Sequence, residues 1–92
     1  MAIVVVGVIP GGNQETYENV SAKAMSGGQL PEGCQLHVAG PVDEGWLIIT
    51  VWDSPEHLER FRNEKLLPAL REAGVEDNVT PQVNQAHRVI TA

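Results

Sequence analysis

Apolar residues run almost unbroken through AIVVVGVI at 2–9, and neither set of alternate positions is polar. That pattern predicts a short strand buried on both faces, closed by Pro10. After GGN the period lengthens. Tyr17, Val20, Ala24 and Met25 recur at helical spacing, which predicts a helix from about Gln14 to Ser26. Asn13 suits its N-cap, Glu15 suits the positive end of its dipole, and Gly27 and Gly28 suit its stop. Alternation returns in CQLHVAG from Cys34, a second strand. WLIITVW from Trp46 is the most apolar segment and hence the central strand. PVDEG between them carries turn residues, with Gly45 free to take a positive φ, so the two strands form an antiparallel hairpin.

Ser54, Pro55 and Glu56 announce a second helix as N-cap, first-position proline and first-turn acid. Leu58 and Phe61 mark one apolar stripe; Leu67, Leu70 and Ala73 mark another, out of phase with it. Pro68 accounts for the shift, because it has no N–H for the Glu64 carbonyl and disfavours α backbone at Leu67. The expectation is a kinked helix, or two abutting helices, over about 55–73, ended by Gly74. VEDNVTP then reads as a loop and QVNQAHRVIT, at 82–91, as a polar-alternating last strand.

The order is β-α-β-β-α-β in one domain spanning 1–92. Right-handed crossovers turn that order into a four-stranded antiparallel sheet with both helices on one face, a ferredoxin-like α+β fold. The other face stays apolar and uncovered. A chain this short builds a small core, so pairing two such faces into a homodimeric α/β barrel is the economical arrangement.

Composition narrows the partners. Twelve acids against six bases give a net charge of −6, and the sequence shows no run of Lys and Arg to reverse it. Nucleic acid and anionic membrane surfaces are therefore not expected partners. The run at 2–9 is far short of the ~20 residues a membrane span needs, and no basic segment precedes it as in a signal peptide. Cys34 is the only cysteine, which excludes an internal disulfide and suggests a cytoplasmic home. What remains is a second copy of the chain, or a hydrophobic small molecule.

The stretch HVAGPVDEGWLIITVWDSPEHLERFRNEKLLPALREAG at 37–74 resembles the antibiotic-biosynthesis-monooxygenase-like group of small actinobacterial proteins, within the dimeric α/β-barrel superfamily. By element order the resemblance covers nearly the whole chain. It implies homodimers whose sheets pack into a barrel, with a ligand pocket between sheet and helices in each subunit. Activities across the superfamily include cofactor-free oxidation of aromatic polyketides, polyketide cyclisation, haem breakdown and small-molecule isomerisation. The group's pattern has a Trp at the end of the third strand, a polar helix cap, a first-turn acid, a Leu, and a His three residues later. Trp52, Ser54, Glu56 and Leu58 match it, but Phe61 stands where the His is expected. A hydrocarbon there neither moves a proton nor ligates haem iron.

Candidate chemistry then rests on few residues. An even hairpin loop sets His37 opposite Thr50 and on the helix side, near Trp52; a bulge at Gly45 turns it to the other face. Facing the helices, His37 is a candidate acid or base; otherwise it is a polar residue bonded within the hairpin. His87 in the last strand is a second candidate, for the pocket or for the interface between subunits. Trp52, Phe61 and Leu58 are expected pocket walls, and Tyr17 a phenol that orients a carbonyl, or else a packed ring with a wet hydroxyl. Trp46 is expected to pack in the core or cap the barrel end. Cys34 has no basic neighbour in sequence and reads as a small buried residue rather than a nucleophile. Three histidines without an i,i+4 pair carry no metal signature, and VGVIPGGN lacks phosphate-loop spacing and a lysine, so no metal or cofactor is expected. The acids at 56, 59 and 64 and the bases at 60, 62 and 65 read as a mixed helical surface, with His57 on it.

Two functions fit these residues. One is a cofactor-independent monooxygenase- or cyclase-like enzyme acting on an aromatic or polyketide-like molecule. The other is a non-catalytic ligand-binding or structural homodimer. A solvent-reachable His37 beside a cavity favours the first; a His37 sealed by packing favours the second.

Overall fold

The computed structural model describes residues 1–25, 28–74 and 81–91. In chain order the elements are β1 (Ile3–Pro10), α1 (Gln14–Ala24), β2 (Cys34–Val42), β3 (Gly45–Trp52), α2 (Pro55–Phe61), a π-helical turn (Arg62–Leu66), α3 (Leu67–Ala73) and β4 (Gln82–Gln85). The strands lie in the order β2-β3-β1-β4, and each neighbouring pair is antiparallel. With the helices packed on one face, this is the expected ferredoxin-like α+β fold.

Local chemistry explains each boundary. The Asn13 side chain accepts from the Thr16 N–H and caps α1. At the other end of α1 the Met25 N–H still reaches the Ser21 carbonyl, and Gly28 takes a φ of +72°. Ser26 and Gly27 fall outside the described residues, as does most of the loop expected at 75–81. Ser54 caps α2 by accepting from the His57 N–H, with Pro55 at its first position.

The expected discontinuity between helices is a single π turn. The Leu67 N–H bonds to the Arg62 carbonyl, five residues back, just before Pro68, which has no N–H to offer Glu64. The extra residue re-phases the apolar stripe, so Ala69 becomes the most buried position of α3 at 2% exposure. Gly74, at φ +70°, ends α3 as a left-handed cap.

Strand register decides which side chains meet. β2 and β3 are joined by a two-residue turn, Asp43–Glu44, with Val42 opposite Gly45 and His37 opposite Thr50. A bulge does interrupt β2, but it falls between Cys34 and Leu36, beyond His37 from the turn. Parity from the turn to His37 is therefore kept, and His37 faces the helices. Pro41 is tolerated within β2 because β2 is an edge strand. Gly45 sits at φ +152°, and a Cβ there would run into the Ile9 carbonyl and the Gly11 N–H, which itself bonds to the Glu44 carbonyl.

The last strand is shorter than the alternating pattern suggests. Gln85 pairs with Ile3, and the Ala86 N–H bonds to the Ala2 carbonyl. β1 has by then almost run out, so the residues after 86 have no strand edge beside them. His87 accordingly lies past β4 and is exposed.

The core is built on Ile3, Val5 and Trp52, with Trp52 at 2% exposure, and Cys34, Leu58 and Phe61 pack against it. The Trp52 and Phe61 rings meet at a centroid distance of 5.3 Å and a tilt of 38°. On the far face, Val4, Val6, Ile49, Leu36 and Val38 follow from the same register, and Leu36 and Val38 stay 39% and 47% exposed.

Candidate active site

A cavity of about 180 Å³ lies between the sheet and the helices. Alternate residues of β3, namely Trp46, Ile48, Thr50 and Trp52, form its floor. Tyr17, Val20 and Ala24 of α1 and Phe61, Leu66 and Leu70 of the second helical segment wall it. Almost the whole lining is hydrocarbon, which suits a flat apolar molecule.

Polar groups in it are few and converge. The Tyr17 hydroxyl lies 2.6 Å from Nε2 of His37. The two rings are stacked at a centroid distance of 5.9 Å and an angle of 29°. Burial pushes the His37 pKa below 6.5 and holds the ring neutral at pH 7. With the ring proton on Nδ1, the Tyr17 O–H donates to Nε2. A neutral imidazole next to a phenol is a proton-accepting pair in an apolar site.

Tyr17 also packs against Trp46, at a centroid distance of 5.4 Å and a tilt of 33°. Nε1 of Trp46 is buried and has no hydrogen-bond partner among the described residues. Thr50, 8% exposed, accepts from Nε1 of Trp52 at 2.9 Å, and its own O–H remains available to donate.

Of the residues singled out from sequence, the fold gathers His37, Tyr17, Thr50, Trp52 and Phe61 around this one cavity. Leu58 is not part of its lining. It sits one helical turn before Phe61 and packs on the Ile3–Val5–Trp52 core instead. His87 is not part of the lining either: its strand has ended before it. Trp46, 9% exposed, packs in the core as expected and also forms a wall of the cavity. Its parity with Thr50 and Trp52 along β3 is the sequence signal that could have placed it there. Cys34 lines the cavity and donates to the Leu36 carbonyl at 3.4 Å. Burial, with a lesser contribution from Asp53, raises its pKa, so the thiol stays protonated at neutral pH and is a poor nucleophile. His57, half-buried, shares a hydrogen bond of 2.7 Å between its Nδ1 and the Ser54 hydroxyl and belongs to the helix cap. Among the described residues no three metal-ligating side chains cluster, and no helix is long and apolar enough to cross a membrane.

No family model and no curated protein matches the sequence. Solved structures do match the fold. SnoaB, a cofactor-independent oxygenase of Streptomyces nogalater, superposes with a TM-score of 0.66 at 11% identity, covering 99% of this chain and 98% of its own. Rv0793 of Mycobacterium tuberculosis gives 0.65 at 12% identity over 98% of both chains. A protein of Chloroflexus aurantiacus, provisionally named an antibiotic biosynthesis monooxygenase, gives 0.63 at 16% identity over 99% of this chain and 100% of its own. The chain thus has the antibiotic-biosynthesis-monooxygenase-like fold, as the stretch at 37–74 suggested. At these identities the likeness concerns architecture, and the chemistry must come from the residues.

Proposed function

We propose that this protein is a cofactor-independent, monooxygenase- or cyclase-like enzyme acting on an aromatic or polyketide-like small molecule. The observation that carries the reading is the Tyr17–His37 hydrogen bond of 2.6 Å inside an apolar cavity. Such a molecule lies against Trp52 and Phe61. A proton leaving its acidic O–H or C–H reaches the Tyr17 oxygen as Tyr17 passes its own proton to Nε2 of His37. The resulting carbanion or phenolate is delocalised over the ring system. It attacks a carbonyl in a cyclisation, or reacts with dioxygen as co-substrate in an oxygenation that ends in a new carbonyl and water. Thr50 and Tyr17 orient the oxygen atoms of the substrate. The SnoaB likeness supports the oxygenase branch, since that protein is a cofactor-independent oxygenase.

In this reading the protein acts as a cytoplasmic homodimer. Leu36 and Val38, exposed on the helix-free face, are covered by the same face of a second copy.

The test is dioxygen uptake with a hydroxylated anthrone, which carries an acidic C–H between aromatic rings. Wild type is expected to consume oxygen. His37→Ala and Tyr17→Phe are each expected to slow it by about 10²–10⁴-fold, the usual span for a lost acid–base group. Variant rates equal to that of the wild type would remove the pair from the chemistry. Binding of the anthrone without uptake would favour the non-catalytic ligand-binding homodimer.

A further inference from the structure

Bases that look scattered in sequence are brought together by the fold. A cleft of about 270 Å³ adjoins the apolar cavity and shares Ala24, Met25, Pro31 and Phe61 with it as walls. Lys23 from the last turn of α1, Arg60 from the last turn of α2 and Lys65 from the π turn line this cleft. His57 lines it too, and Glu32 and Glu64 are its acids. Arg62, four residues before Leu66, lines the apolar cavity itself. Among the described residues, four of the chain's six Lys and Arg residues thus line one or other hollow, against two acids. In a protein of net charge −6 that is a local reversal of sign.

Size points the same way. The apolar cavity alone is smaller than the ~300–1,000 Å³ of drug-sized ligand sites, and the two hollows taken together reach that range. One hollow is nearly all hydrocarbon and the other is cationic, so a molecule filling both has two chemically different ends.

We infer that the substrate is an aromatic carboxylic acid, its rings in the apolar cavity and its carboxylate in the cleft against Lys23, Arg60 and Lys65. The inference rests on the reading of the apolar cavity as the substrate site. The cations select the acid and orient it, so that the ring edge distant from the carboxylate meets the Tyr17–His37 pair. Neutral aromatics of the same shape enter the cavity with lower affinity and without a fixed direction.

The experiment is calorimetric titration with two probes of nearly equal shape, 2-naphthoate and its uncharged methyl ester. In wild type the acid is expected to bind about ten- to a hundredfold more tightly than the ester at low ionic strength, as three exposed cations each worth about two- to five-fold would give. The combined variant Lys23→Glu, Arg60→Glu, Lys65→Glu is expected to lose that preference while keeping the ester affinity, which also reports that the variant is folded. Half-molar salt should shrink the preference in wild type. Equal affinity for acid and ester in wild type, or a preference that survives the triple variant, overturns the assignment. Failure of the ester as well as the acid to bind wild type overturns the cavity reading itself, and the inference with it. Val20→Trp, which fills the cavity, is expected to abolish binding of both probes; retained ester binding would place the rings elsewhere.

Discussion

His37 has two properties that are usually opposed. It is polar enough to bond Tyr17 at 2.6 Å and buried enough that its pKa is lowered. Desolvation is the cause, and it has a consequence for stability that can be measured. The unfolded chain takes up a proton on this ring near pH 6.5, and the folded chain does so only at lower pH. Between those two pH values the unfolded state binds more protons, so stability falls as pH is lowered. The contribution is fully present above about pH 6.5 and is lost below it, through the folded pKa. Urea unfolding at pH 7.5, 6.5 and 5.5 checks this. Wild type is expected to lose more stability over that range than His37→Gln, which keeps a polar group and cannot titrate. Equal losses in the two proteins would mean that the ring is not desolvated in solution. The same neutral form is the one able to accept a proton, so the activity should fall with the acid limb of the same titration.

At the scale of elements, the hairpin does most to place the site, and Gly45 is its hinge point. Its φ of +152° suits glycine alone, and the Ile9 carbonyl occupies the space a side chain would need. Gly45→Ala is expected to destabilise the fold by ~1–3 kcal/mol, the cost typical of a misfitted backbone position. Thermal unfolding measures it, and an unchanged midpoint would mean that the turn relaxes freely. The turn was readable because PVDEG contains residues that bend the chain for stated reasons, and an even loop leaves His37 opposite Thr50. The π turn was half readable. Pro68 announces a break, but only the Leu67-to-Arg62 bond shows that the helix absorbs one extra residue and continues. β4 was misread because alternation describes a strand's faces and is silent on whether a partner edge reaches that far. The partner ends near Ala2, so His87 falls past the strand and outside the cavity lining.

At the scale of the whole molecule, the fold was legible and the site only in part. Periodicity and turn chemistry act over neighbours, so element order followed from them. The site depends on contacts across long separations. Tyr17 and His37 are twenty residues apart, and no spacing rule announces their bond. The cationic cleft draws Lys23 to Arg60 and Lys65 by packing α1 near the second helical segment, which the sequence shows only as scattered bases. One global feature was legible in sequence and is open to direct measurement. Val4, Val6, Val8, Leu47, Ile49, Leu36 and Val38 share the helix-free face by register, and water there meets hydrocarbon over three adjacent strands. A monomer would leave that face wet; a second copy presenting the same face covers it. Light scattering after size exclusion is expected to give twice the chain's 10.0 kDa. Val38→Asp, at a position already 47% exposed in the single chain, should cost the monomer little and the dimer much, because an unpaired carboxylate between two sheets is strongly disfavoured. The expected outcome is a variant that keeps its secondary structure by circular dichroism and runs as a monomer. A wild type that stays monomeric at hundreds of micromolar would leave this face uncovered and remove the barrel from the proposal, while the cavity, which lies on the opposite face of the sheet, would stand or fall on its own tests.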